Sequence, residues 1–82
     1  MNLEQRVIKI IEENLEEKSE VTVHTNLREG LGLDSFGMVI IVNALEDEFG
    51  VSIEDHHYKG INSVADIISA LKQYSPNLRS FS

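Results

Sequence analysis

Gly32-Leu33-Asp34-Ser35-Phe36-Gly37-Met38-Val39 is the stretch whose reading decides the fold. A glycine-containing loop ends here and a long apolar helical pattern begins. Asp34 and Ser35 are both residue types favoured at a helix N-terminus, so either Asp34 caps the helix with Ser35 as its first residue, or Ser35 is itself the cap. In both cases the serine sits at the helix entrance. Backbone N–H groups there lack intrahelical partners, and the helix dipole places partial positive charge at that end. An anion carried on the Ser35 hydroxyl would gain about 0.3 to 1 kcal/mol from that position.

Downstream, the spacing predicts a helix over 35–50 with Gly50 as its C-terminal cap. Met38, Ile41, Val42, Leu45 and Phe49 form its core stripe, whereas Phe36, Val39 and Ile40 fall on another side. A helix apolar all round has to be buried all round, which so short a chain cannot easily do. Some of Phe36, Val39 and Ile40 are therefore expected to remain exposed beside Ser35, as a docking ridge. The helix then turns acidic at Glu46-Asp47-Glu48, and no Lys or Arg occurs from Glu29 to Asp55. An acidic rim, with Glu46 and Asp47 as partner-binding candidates, is expected around the apolar ridge.

Upstream, residues 19–34 read as a long loop pinned to the core by Val21, Val23, Leu27, Leu31 and Leu33. The alternation Val21-Thr22-Val23 resembles a strand, but no neighbouring segment offers a hairpin partner. A loop of this length in a small domain is usually functional. Before it, Asn2 with Gln5 marks a helix start, and Leu3, Val7, Ile10, Ile11, Asn14 and Leu15 extend the helical spacing over 3–17. Its acidic face, Glu12, Glu13, Glu16 and Glu17, reads as a solvated surface.

After Val51-Ser52-Ile53, one short helical turn is expected over 54–59, ahead of Gly60. Ser63 with Asp66 then forms a capping-box-like start, and Val64, Ile67, Ile68 and Leu71 give a last helix over 64–74 that Pro76 stops. The expected architecture is all-α, a bundle of three main helices plus one short helix. Residues 1–75 form the single domain and 76–82 a frayed tail.

Composition narrows the function. With 82 residues there is room for one modest core, which argues against an enzyme with its own substrate pocket. Fourteen acidic against seven basic side chains give a net charge of −7, which disfavours nucleic acid and anionic membranes as partners and favours basic protein surfaces. There is no cysteine, so a thioester chemistry would need an imported sulfur. No leader-like N-terminus or membrane-length apolar run is present, and the chain reads as soluble, cytoplasmic and monomeric. Leu33 stands where a Gly-x-Ser-x-Gly hydrolase elbow needs glycine, and no sheet is predicted to hold an acid and base. His24, His56 and His57 make a weak metal set without cysteines, and the acidic run lacks calcium-loop spacing, so no metal or catalytic residue is expected.

Leu31-Gly32-Leu33-Asp34-Ser35-Phe36 resembles the Leu-Gly-x-Asp-Ser-Leu signature of the acyl carrier protein family, with Phe for the last Leu. The likeness continues through Ala44-Leu45-Glu46-Asp47-Glu48-Phe49-Gly50-Val51 and Ile61-Asn62-Ser63-Val64-Ala65-Asp66. It implies 4′-phosphopantetheine on Ser35, with Asp34 the adjacent motif residue. The arm would come from coenzyme A through a separate magnesium-using phosphopantetheinyl transferase, and its thiol would carry an acyl or aminoacyl thioester. The second helix would face the loading and transferring enzymes, and a lipid cargo would fold back between helices. Phe36-Gly37-x-Val39, without acidic residues in the first two turns, is closer to D-alanyl and some peptidyl carriers. The reading is therefore a specialised free-standing acyl carrier. An aminoacyl carrier and a helical interaction module without any prosthetic group are the alternatives.

Overall fold

The computed structural model describes residues 2–54 and 58–74. They form α1 (Leu3–Glu13), α2 (Ser35–Phe49) and α3 (Val64–Tyr74), with α1 packed against both of the others. Leu3, Val7 and Ile11 from α1 meet Met38, Ile41 and Leu45 from α2 and Val64, Ile67 and Leu71 from α3, all essentially inaccessible to solvent. The described residues contain no strand, only an isolated antiparallel bridge between Asn26 and Ser63. The fold is the expected all-α bundle. Of the short helix expected over 54–59, positions 55–57 lie outside the described residues, and no fourth helix is shown. The expected tail over 76–82 also lies outside them.

Local chemistry sets the helix ends. Asn2 and Gln5 close a reciprocal capping box, with Gln5 N–H donating to Asn2 Oδ1 at 2.9 Å and Asn2 N–H to Gln5 Oε1 at 3.1 Å. At the other end α1 stops at Glu13, four residues short of the expected 17. Asn14 takes its place as cap by turning its side chain back to Ile10 O at 2.8 Å, while its N–H goes to Ile11 O at 3.1 Å. Such three-residue bonds tighten the final turn and end the helix. Leu15, whose spacing suggested continuation, packs on the core from the loop instead.

The connection between α1 and α2 has no helix or strand of its own, yet its backbone is tied down. Leu27 N–H donates to Asn62 O at 2.8 Å, and the loop's Val23 and Thr25 carbonyls accept Ala65 N–H and Val64 N–H at 3.0 and 3.1 Å. These last two donors begin α3 and lack intrahelical acceptors, so the loop caps a helix distant in sequence. Asn26 organises the following turn. Its Oδ1 accepts Arg28 and Glu29 N–H, and its carbonyl accepts Gly30 and Leu31 N–H. Gly30 passes so close that a Cβ there would lie 2.5 Å from Asn26 O. Leu27, fully buried, fixes the turn to the core.

Ser63 and Asp66 form the expected cap of α3, with Asp66 N–H reaching Ser63 Oγ at 3.3 Å. The Asp66 carboxylate accepts N–H groups of Asn62 at 2.9 Å and Ser63 at 3.0 Å, and these bonds hold its pKa below the ordinary aspartate value despite some desolvation. A carboxyl whose pKa is lowered on folding stabilises the native state above its unfolded value, and that contribution disappears as pH falls through the folded-state value. Urea titrations of wild type and Asp66→Asn are expected to converge as pH falls below the ordinary aspartate value of about 3.9, the wild type alone losing this increment. Parallel curves would contradict the assignment.

Candidate functional site

The chain enters α2 through Gly32, whose φ of 68° lies in the left-handed region that side-chain-bearing residues enter at a cost of about 1 kcal/mol or more. Leu33 N–H is then held by Leu27 O at 3.2 Å, which carries the order of the Asn26 turn to the helix. Asp34 is extended, with φ −89° and ψ −173°, and its Oδ1 accepts Gly37 N–H at 2.8 Å. Its carbonyl accepts Met38 N–H at 2.9 Å. Asp34 is thus the cap and Ser35 the first helical residue, which decides between the two arrangements the sequence left open.

Ser35 is exposed. Two backbone donors remain at this end, since Ser35 N–H and Phe36 N–H have no acceptor among the described residues. They stand at the positive end of a 15-residue helix, a setting that favours a phosphate on the neighbouring hydroxyl. The donor set fits a phosphodiester.

The apolar surplus of α2 divides into two faces. Ser35, Val39, Val42 and Glu46 fall on one face by helical spacing, and Val39, Val42, Asn43 and Glu46 line a shallow groove of about 250 Å³ with Ile53 and Tyr58 opposite. Phe36 and Ile40, one turn apart, border a second cleft of about 390 Å³. Its back wall is Leu15, Leu31 and Leu33. Phe36, Val39 and Ile40 are 68%, 46% and 41% exposed, far above any core residue. Gly37 lies between the cap and this second cleft, where an added Cβ would stand 3.0 Å from Leu33 Cδ2. Its cost in helix propensity, about 1 kcal/mol, is therefore offset by room for Leu33.

The acidic residues do different things. Glu46 is half-buried, and its Oε2 accepts Ile53 N–H at 2.6 Å while its carbonyl accepts the N–H groups of Gly50 and Val51. It holds the chain reversal after α2, for which Gly50 supplies the left-handed cap at φ 66°. Glu48 pairs with Arg6 at 2.8 Å, and the same guanidinium lies 5.6 Å from the Phe49 ring centroid, pinning α1 to the end of α2. Asp47 is exposed. His24 is exposed, its N–H on Thr22 Oγ1 at 3.2 Å, and His56 and His57 lie outside the described residues. No group of three or more metal-binding side chains occurs among the described residues. No helix among them is long and apolar enough to cross a membrane.

Sequence reasoning missed three contributors to this region: Asn26, Tyr58 and the pair Glu16 and Glu17 at the cleft. Asn26 four residues before Gly30 was a turn signal. The others are brought in by tertiary packing and had no local signal.

A family model described as the phosphopantetheine attachment site matches residues 5–71. The chain belongs to the acyl carrier protein family. Acyl carrier proteins from two strains of Rickettsia bellii are 39% and 40% identical to it over 74 residues, covering 89% of this chain and 86% and 91% of theirs. One from Saccharopolyspora erythraea is 37% identical over 78% of this chain and 68% of its own length. Members of this family are carriers and not catalysts, and the covalently attached group of this carrier is 4′-phosphopantetheine.

Removing the cap should loosen the carrier's helix start without touching its core. Asp34→Ala is expected to cost about 1 kcal/mol in urea denaturation and to speed amide exchange at Gly37, whereas Asp34→Asn retains most of the stability. Equal loss in both variants would show that the cap is not what Asp34 contributes.

Proposed function

We propose that Ser35 is the attachment point of the phosphopantetheine arm and that the protein presents acyl thioesters on that arm to partner enzymes. The observation that carries the proposal is an exposed serine at the first helical position, beside two unclaimed N–H donors, with its neighbouring Asp34 already committed to the cap. In the loading step Ser35 Oγ forms a bond to the pantetheine-side phosphorus of coenzyme A. The diphosphate linkage breaks, the nucleotide leaves as its bisphosphate, and the serine proton passes to solvent. A separate phosphopantetheinyl transferase supplies the catalysis and the magnesium. Residues of this chain supply orientation: Asp34 fixes the turn, and the α2 N-terminus favours the new phosphodiester. Once bound, the arm supplies the thiol that the sequence lacks.

The groove formed by Val39, Val42, Asn43, Ile53 and Tyr58 shares the helical face of Ser35, which supports a cargo folding back along α2. The relatives' names favour an acyl cargo over an aminoacyl one. We read the carrier as a specialised cytoplasmic one. Its partners meet Phe36, Val39 and Ile40 by apolar contact and Asp47, with the remaining oxygen of Glu46, by charge. In contrast to an acidic first turn, residues 35–42 carry no charge at all.

Incubation with a broad-specificity phosphopantetheinyl transferase, coenzyme A and magnesium, followed by intact-mass analysis, is expected to add one phosphopantetheine to wild type and none to Ser35→Ala of unchanged urea midpoint. A modified Ser35→Ala protein, or an unmodified wild type, would overturn the assignment.

A further inference from the structure

We propose that Asn43 is a positioning residue for the prosthetic arm: with Tyr58 opposite, its carboxamide pairs with an amide of the pantetheine and seats the arm in the groove on the Ser35 face of α2. The inference rests on the Ser35 reading, since it concerns what that serine would carry. Placement is the first ground for it. The groove starts one turn beyond the serine, at Val39, and continues through Val42 and Asn43 to Glu46. A chain tethered at Ser35 and running toward the C-terminal end of α2 therefore lies along it. Asn43 stands two turns on, about 12 Å along the helix axis.

The polar groups are the second ground, because they suit a neutral amide. Asn43 is exposed and Tyr58 is half-buried against the core, and neither side chain hydrogen-bonds another described residue. A carboxamide brings two donors and an acceptor, and a phenol brings one of each, so together they can satisfy both the N–H and the C=O of an amide. Pantetheine follows its phosphate with a dimethyl-substituted carbon, then two amides separated by methylenes, and only then the sulfur. The groove offers valines first and hydrogen-bonding groups second, which is the order the arm presents.

Other occupants match less well. A saturated chain in the same place would strip water from Asn43 and Tyr58 and return no hydrogen bond. An anion would face Glu46. The cleft on the other side of α2 is a poorer seat for the arm, since it carries Asp34, Glu16 and Glu17, whereas Glu46 is the one carboxylate lining the groove among the described residues and one of its oxygens is already held by Ile53 N–H. At about 250 Å³ the groove is smaller than the pockets of about 300–1,000 Å³ that enclose whole ligands, so it grips one segment of the arm without enclosing the cargo. Hydrogen bonds at an exposed side chain hold weakly, which lets a partner enzyme lift the arm out.

The test uses NMR of the loaded protein carrying an arm labelled with carbon-13 and nitrogen-15, its attachment confirmed by mass. In wild type, attachment is expected to shift the Asn43 side-chain NH2 resonances and to give NOEs from the arm to the Val39 and Val42 methyls and the Tyr58 ring. Asn43→Leu keeps the size and loses the hydrogen bonds, and it should weaken those NOEs by about fivefold, the value of one net hydrogen bond. Asn43→Gln keeps the carboxamide and should restore most of the intensity. Undiminished NOEs in Asn43→Leu would reduce the contact to shape and overturn the proposal. So would a loaded wild type with no shift at Asn43, or shifts that arise only once the thiol is acylated, which would give the groove to the cargo. A wild type that accepts no arm overturns the Ser35 reading and this one with it, and the mass separates that case from an arm attached but unseated.

Discussion

The loop between α1 and α2 is held by a backbone exchange with the start of α3, and the position of Ser35 depends on it. Val64 and Ala65 need acceptors that no helix can give their first-turn N–H groups, and Thr25 and Val23 supply them. In return the loop acquires fixed points in a segment without regular structure. Leu27 N–H closes the exchange on Asn62, the Asn26 turn follows, and Leu33 N–H returns to Leu27 O one residue before the α2 cap. Each of these bonds is individually worth about 1 kcal/mol net. Their arrangement in series matters more, because losing the anchor at Leu27 would free the whole approach to Ser35.

This explains why parts of the molecule were legible in sequence and others were not. Helix starts were readable because caps are local: Asn2 with Gln5, the Asp34-Ser35 pair before the apolar run, Ser63 with Asp66, although which of Asp34 and Ser35 is the cap was left to the structure. Gly50 as terminator was readable for the same reason. The end of α1 was not, since Leu15 continues the apolar spacing past the point where Asn14 bends back to Ile10 O. Glu46 looked like one of three equivalent rim acids, but its bond to Ile53 N–H seven residues later makes it part of the chain reversal. The contact that orders the loop spans nearly forty residues, from 25 to 64, and has no periodicity to reveal it.

The exposure of Phe36, Val39 and Ile40 was readable from area alone, because a short chain cannot cover every face of an apolar helix. What sequence could not give was the division of that surface. Residues on the Ser35 face look onto Ile53 and Tyr58, while Phe36 and Ile40 look onto the α1–α2 loop. A single helix therefore lines two hollows on separate sides.

By net charge alone an acidic protein is a poor host for a phosphodiester, yet magnitudes favour it. A carboxylate about 8 Å from the phosphate in water costs about 0.5 kcal/mol, and salt reduces this further at physiological ionic strength. The helix terminus returns about 0.3 to 1 kcal/mol, and it acts in the first turn only. The balance is accordingly set by the nearest few residues and hardly by the net charge of −7. Asp34 is the one carboxylate in that range by sequence, and its Oδ1 is engaged by Gly37 N–H. Residues 35–42 add no other. Leaving the first two turns uncharged thus keeps the immediate surroundings of an anion at Ser35 favourable.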